Sequence, residues 1–279
     1  MNLKNLFKNK LQNILKKIFL IKDQNFKKLY PIFVPRGKGT SEQLEIITIA
    51  AINNIFPSIN LLSDHFSTKK LIIKELEHLK LNASEKKNAK KLEEFFTFFG
   101  SDKSTKHNYH ILYGKIISNN KKISKILEIG LGTNNIDVLG NMGPSANPGA
   151  SVRAFREVCQ NASIYGADID QRILFNENRI KTTKVDQLSY KSLSNLKQKF
   201  GDEFDLIVDD GLHAAIANIN TLGVCLDQLK KGGIFVIEDI HIETLAIWEL
   251  IYKLIPENKF DANMYIDKSG SYLFSLKKL

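Results

Sequence analysis

Phe204-Asp205-Leu206-Ile207-Val208-Asp209-Asp210-Gly211-Leu212-His213 passes from a short apolar run into two acids, a glycine and a histidine. Such a run, bounded by carboxylates and turn residues, reads as a strand buried on both faces of a parallel sheet. Its polar residues then lie at the carboxyl end, where open α/β sheets bind ligands. Downstream, Ile234-Phe235-Val236-Ile237 repeats the pattern and closes on Glu238-Asp239. If the two strands are neighbours, about 4.8 Å apart, then Asp210, His213, Glu238 and Asp239 converge on one small volume. Clustered carboxylates repel unless a cation or a shared proton offsets the repulsion. A divalent metal is the reading with chemical content; solvated loop acids and helix caps are the alternative.

Working upstream, Lys125-Ile-Leu-Glu128-Ile-Gly130-Leu-Gly132 reads as a strand entering a glycine turn, where absence of Cβ lets backbone approach a ligand. A dinucleotide fingerprint needs a third glycine where this chain has Asn135, which argues against a nicotinamide oxidoreductase. Thr133 to Ala150 is a long loop rich in Gly, Asn and Pro, a length that favours function. Ser151 is the expected N-cap of the next helix. Strand Ser163–Ala167 ends at Asp168, where a carboxylate can accept from both hydroxyls of a ribose. Strand Ile180–Val185 ends at Asp186-Gln187, placed for a base edge. A helix is expected over Ala214–Leu229, ended by Lys231-Gly232-Gly233, and another over Glu243–Ile255. Two strands, Phe260–Ile266 and Tyr272–Leu276, close the chain on a turn. The order predicts an α/β fold: a Rossmann-like sheet, mostly parallel, with one antiparallel strand.

Before the sheet, helical pattern is expected over 42–55, 68–81 and 84–99, so residues 1–100 read as a helical cap or oligomerisation region and 101–279 as the catalytic domain. Gly100 to His110 is a polar segment with two histidines and a tyrosine, suited to a lid or ligand contact. Residues 3–21 place apolar side chains at helical spacing between lysines, so the helix suits an anionic membrane surface or packing of its apolar face on the rest of the protein or on a second subunit. Residues 1–30 hold eight lysines against the single acid Asp23, much of the net charge of +10. That charge is concentrated in one helix, and no Asn-Pro-Pro-Tyr-like motif follows the fourth strand, which argues against an enzyme acting on nucleic-acid bases. Contiguous apolar runs fall short of the roughly eighteen residues of a membrane span. With only Cys159 and Cys225, far apart, the expected setting is reducing and cytoplasmic.

Glu128-Ile-Gly-Leu-Gly132, Asp168, Asp186, Asp209-Asp-Gly-Leu-His213 and Gly232-Gly-Ile-Phe-Val-Ile-Glu-Asp239 together resemble a class I S-adenosylmethionine-dependent methyltransferase. More narrowly, the chain is similar to the metal-dependent sugar O-methyltransferases of macrolide biosynthesis, of mycinamicin and tylosin type, and to cephalosporin hydroxylase-like proteins. Gly100-Ser-Asp-Lys103, Pro148-Gly-Ala-Ser-Val-Arg153 and Tyr165-Gly-Ala-Asp-Ile-Asp170 support it, and it covers roughly residues 98 to 279. Those relatives usually carry Ser where this chain has Leu212. The resemblance implies that Asp210, Glu238 and Asp239 hold Mg2+ or another divalent cation, and that His213, with Asp210, is catalytic as the general base. It implies that Lys103, Glu128, Gly130, Gly132, Ser151, Asp168, Asp186 and Asp209 bind S-adenosylmethionine. The implied acceptor is a small-molecule sugar or sugar nucleotide, with no nucleic acid, and a homo-oligomer is expected.

Overall fold

In a computed structural model, which describes residues 29–37, 39–119 and 123–279, nine strands form a single sheet. The chain divides into two compact units, the first ending at Thr68 and the second running Lys69–Leu279. The described part of the first unit is organised on helix α1 (Ser41–Ser63), opened by a capping box between Thr40 and Gln43. The lysine-rich helix expected at 3–21 lies outside the described residues.

The second unit runs β1 (Ile73–Glu75), α2 (Ala83–Phe99), α3 (His110–Asn119), β2 (Lys125–Ile129), α4 (Ala150–Val158), β3 (Ser163–Asp168), β4 (Asn176–Glu177) and β5 (Ile180–Lys184). It continues with α5 (Tyr190–Phe200), β6 (Phe204–Asp209), α6 (Ala215–Cys225), β7 (Leu229–Ile240), α7 (Leu245–Leu254), β8 (Phe260–Ile266) and β9 (Tyr272–Lys278). The strand order is β1-β8-β9-β7-β6-β2-β3-β5-β4. Strand β9 is the expected antiparallel strand, running against both β7 and β8. The two-residue β4 adds a short antiparallel edge on β5.

Alternation along the central strands sends side chains into two cores. Leu206 and Val208 join Phe96, Tyr113 and Phe155 on one face, whereas Ile207 joins Leu196, Leu222 and Trp248 on the other; Phe204 reaches that second core through a register shift between it and Leu206. Each such side chain, fully buried, contributes about 1.5–3 kcal/mol. Between β2 and β3 on one side and β6 on the other, the chain order reverses, and a cleft opens at the carboxyl ends there.

In the second unit, β1 pairs in parallel with β8 and α2 packs on α3 and α4, so residues ahead of 101 contribute to it from Lys69 on. Three expectations are corrected. Residues 68–81 form β1 and a 3-10 turn at Leu76–His78 instead of a helix; a short apolar run satisfies either period, and the edge of β8 decides. Helix α6 stops at Cys225, and Lys231-Gly232-Gly233 lies inside β7, where Gly232 takes φ +82°. Finally, α1 is by length and composition apolar enough to cross a membrane, because its Asn, Ser and Thr residues interrupt contiguous apolar runs without adding charge.

Candidate active site

The cleft holds a cavity of about 470 Å3. Ten expected site residues line it: Lys103, Gly130, Gly132, Ser151, Asp168, Asp186, Asp210, His213, Glu238 and Asp239. The long loop after β2 supplies much of the remaining wall, including Leu139, Met142 and Asn147. Glu128 and Asp209 are fully buried and lie behind the wall.

Gly130 is required for a reason other than a ligand. At φ +94° its amide donates to Ala167 at 2.8 Å, and a Cβ there would lie 1.9 Å from the Asp210 carbonyl oxygen. The glycine turn and the Asp210 turn are therefore stacked backbone on backbone, and the Asp210 amide donates to the Ile129 carbonyl at 2.8 Å. Asp168 braces the same turn by accepting from the Leu131 amide at 2.7 Å, and burial raises its carboxyl above the ordinary value.

Asp210, His213 and Asp239 bring one ligand atom each within 4.8 Å of one another. His213 Nε2 lies 3.7 Å from Asp210 and 3.9 Å from Asp239. His213 and Asp239 both adopt left-handed backbone, at φ 55° and 52°. Such conformations are costly outside glycine and persist where surrounding structure holds them, often at functional sites. For Asp239 the holding element is a bulge: between the pairs Ile237↔Phe274 and Ile240↔Tyr272, β7 carries one more residue than β9. In a regular strand Glu238 and Asp239 would face opposite ways; the bulge puts both on the cavity.

Glu238 is nonetheless occupied by protein. It accepts from the Lys103 ammonium and from the Tyr113 hydroxyl. Lys103, 2% exposed, also donates to Asp210 at 2.5 Å and lies 3.3 Å from Glu128. Burial alone would lower the Lys103 ammonium, but Asp210, Glu238 and Glu128 outweigh it and hold it well above its usual value. Glu128 is raised by burial, against the pull of Lys103. Burial likewise raises Glu238, and Lys103 opposes it. Asp239 goes the other way: burial would raise it, but His213, the Tyr109 hydroxyl and His107 outweigh that and leave it below its ordinary value.

Several expected roles shift with these contacts. Lys103 sits in a nest of carboxylates. Ser151 does not cap α4, whose N-cap is Gly149; its hydroxyl donates to Glu128 at 2.6 Å instead. Asp209 is satisfied by Gln187 at 2.7 Å and Asn218 at 3.1 Å, so it anchors the turn from beneath and does not face the cavity. Gln187 is spent on Asp209, Thr221 and the Leu212 amide rather than on a base edge. Asp186 remains on the wall, accepting from the Leu188 amide at 2.9 Å. Two phenols add to the site, Tyr109 from the segment expected to contact a ligand and Tyr113, which the sequence reading did not single out. Tyr109 donates to Asp239 and Tyr113 to Glu238. Their spacing of four was the available signal, since residues four apart share a helix face.

No protein-family model matches the chain. Among curated proteins, 8-demethyl-8-alpha-L-rhamnosyl tetracenomycin-C 2'-O-methyltransferase of Streptomyces olivaceus is 29% identical over 143 residues, 51% of this chain and 35% of that protein. Mycinamicin VI 2''-O-methyltransferase of Micromonospora griseorubida is 30% identical over 116 residues, covering 42% and 27%. Demethylmacrocin O-methyltransferase of Streptomyces fradiae is 31% identical over the same length and coverage. Among solved structures, the MycE methyltransferase of the mycinamycin pathway, in complex with Mg, SAH and mycinamycin VI, aligns with TM-score 0.54 and 18% identity, over 67% of this chain and 53% of that one. The fold is a methyltransferase fold. The curated relatives are named O-methyltransferases and bear out the resemblance read from the motifs. The aligned region spans about a third or less of the length of those curated relatives.

Proposed function

We propose that the protein is an S-adenosylmethionine-dependent, divalent-metal-dependent O-methyltransferase acting on a sugar hydroxyl, carried by a nucleotide or by a cell-surface polysaccharide. The observation that carries this reading is the meeting of Asp210, His213 and Asp239 on the wall of a cavity that also includes the glycine turn. The two carboxylates suit a hard cation such as Mg2+, and the imidazole beside them is left for a proton. The orphaned, buried Nδ1 of His213 and the strained backbone of His213 and Asp239 fit a site built for a ligand. Asp210 and Asp239 are the residues that would hold the ion; bound there, it would supply Lewis acidity toward a hydroxyl oxygen.

This chain's own residues do the rest. His213 Nε2 faces the same volume as both acids and is assigned the hydroxyl proton, since one lone pair cannot both ligate and accept a proton. Lys103 bonds Asp210 and Glu238 together and so fixes the Asp210 side chain in place. The exposed apolar side chains Leu139, Met142, Ile169 and Leu188 rim the cavity and suit an adenine ring. Asp168 and Asp186 are the acids on that wall for ribose and base. Both cysteines are free and buried, which accords with a reducing cytoplasmic setting. The region ahead of Lys69 is where this reading places a subunit contact or a peripheral membrane contact.

The test is transfer of labelled methyl from S-adenosylmethionine to a panel of nucleotide-linked sugars, with chelator and metal add-back. Turnover abolished by chelator and restored by Mg2+ supports the reading. Metal-independent transfer, or no cofactor binding, overturns it.

A further inference from the structure

The loop between α2 and α3 carries an assembly that the proposed reaction leaves unused. His107 is 1% exposed and lines the cavity. Its Nδ1 lies 2.6 Å from Asp267, a side chain fully buried at the turn between β8 and β9. Asp267 already accepts from the amides of Ser269 and Ser271, each at 2.9 Å, and from the Ser269 hydroxyl. With those three donors already on Asp267, His107 Nδ1 completes the set as a fourth hydrogen-bond donor. The ring also stacks on Tyr109, with centroids 4.4 Å apart. The imidazole is thus held on two sides, and Nε2 has no hydrogen-bond partner among the described residues.

Nε2 stands 3.8 Å from Asp239 Oδ1 and 3.9 Å from Asp102. Those gaps are too long for direct hydrogen bonds and short enough for one oxygen atom to bond across them. A buried polar atom left without a partner is unfavourable, so its persistence on a cavity wall points to a ligand group that satisfies it. A hydroxyl both donates and accepts and therefore suits Nε2 in either protonation state. The same Asp239 carboxylate directs its other oxygen, Oδ2, toward His213. One carboxylate thus stands between two imidazoles, one per oxygen.

We propose that His107 is an acceptor-binding residue and that the acceptor is a vicinal diol straddling Asp239. The hydroxyl to be methylated lies on the Asp210 and His213 side, and its neighbour bonds His107 Nε2. Asp267 is the positioning residue. This rests on the methyltransferase reading and narrows its substrate class.

The test uses the full-length protein saturated with Mg2+ and S-adenosylhomocysteine, titrated calorimetrically with methyl glycosides bearing a vicinal diol and with their monodeoxy counterparts. Wild type is expected to bind the diols at least about tenfold more tightly, as sites built to hydrogen-bond a hydroxyl reject analogues lacking it. His107→Asn keeps an N–H toward Asp267 but has nothing at the Nε2 position, and is expected to bind both members of a pair within about twofold. His107→Gln, which places its amide near Nε2, is expected to retain part of the preference. Independently of any variant, the 15N resonance of His107 Nε2 should move on adding a diol and stay in place with the monodeoxy compound. Equal binding by wild type, undiminished preference in His107→Asn, an unmoved Nε2 resonance, or no binder in the panel overturns the proposal while leaving metal-dependent methyl transfer standing. Failure to bind S-adenosylhomocysteine overturns both.

Discussion

Two pairs of adjacent acids, Asp209-Asp210 and Glu238-Asp239, close neighbouring strands, and the members of each pair have opposite environments. Asp209 and Glu238 are buried and bonded to protein donors, the first to Gln187 and Asn218, the second to Lys103 and Tyr113. Asp210 and Asp239 are partly exposed on the cavity, where they approach His213. The inner acids are closed off by protein donors, with Lys103 on Glu238; the outer acids each take one protein donor as well, Lys103 on Asp210 and Tyr109 on Asp239, but keep a face on the cavity. Adjacency in sequence therefore says little about shared function at a strand end. What separates the roles is which donors the fold delivers to each carboxylate.

The sharpest way to break this division is to remove the internal cation. Lys103→Met leaves Glu238 and Glu128 buried without compensation, and loss of one partner from a buried ionic cluster typically costs about 3–5 kcal/mol. Urea unfolding should show that loss, and the double variant Lys103→Met/Glu238→Gln should recover part of it. If Lys103→Met is as stable as wild type, the inner acids are not a scaffold.

On the outer side, Asp210→Asn is expected to weaken divalent-cation affinity by about 10–100-fold, read by Mn2+ paramagnetic resonance, with a matching loss of turnover. His213→Asn separates the two uses of that imidazole: cation affinity within about threefold of wild type and turnover down by about 100-fold or more match a proton acceptor. Lost affinity would make it a ligand.

The backbone contact between the two turns gives a smaller effect. Gly130→Ala places a methyl against the Asp210 carbonyl at a left-handed φ, and is expected to destabilise by about 1–3 kcal/mol by thermal melting. Because the contact is with Asp210 itself, cation affinity should fall as well.

The gentlest probe is pH. Asp170 is held below its ordinary value of 3.8 by hydrogen bonds from Arg172, Thr133 and Asn135 that outweigh burial. A depressed carboxyl contributes stability that is full above the unfolded value and lost as pH falls toward the folded one. Wild type should therefore lose stability below about pH 4 more steeply than Asp170→Asn, measured by melting temperature across pH 2–6.

Seven strands of the sheet and the acids at their ends were legible because apolar runs bounded by carboxylates and glycine leave few other readings, whereas β1, expected as helix, and the two-residue β4 were not. The partition among those acids was not. Lys103 meets Glu238 across 135 positions of sequence, and no local pattern announces a contact of that span. Asp209 looks like Asp210 until Gln187 and Asn218 arrive from other elements. Ser151 had the composition of an N-cap, yet the turn at Gly149, in left-handed backbone, had already filled that position. His107 and Tyr109 were visible only as a polar segment, since what distinguishes them is Asp267 on one side and Asp239 on the other.

The extra residue in β7 carries a consequence for anyone altering this sheet. Excising a single position between Ile237 and Ile240 would restore strict alternation against β9 and swing every later side chain to the opposite surface. A strand of unchanged hydrophobicity would then deliver one acid where it now delivers two. Counting residues between the last core isoleucine and the final acid is thus a simple test of whether a related chain can assemble the same outer cluster.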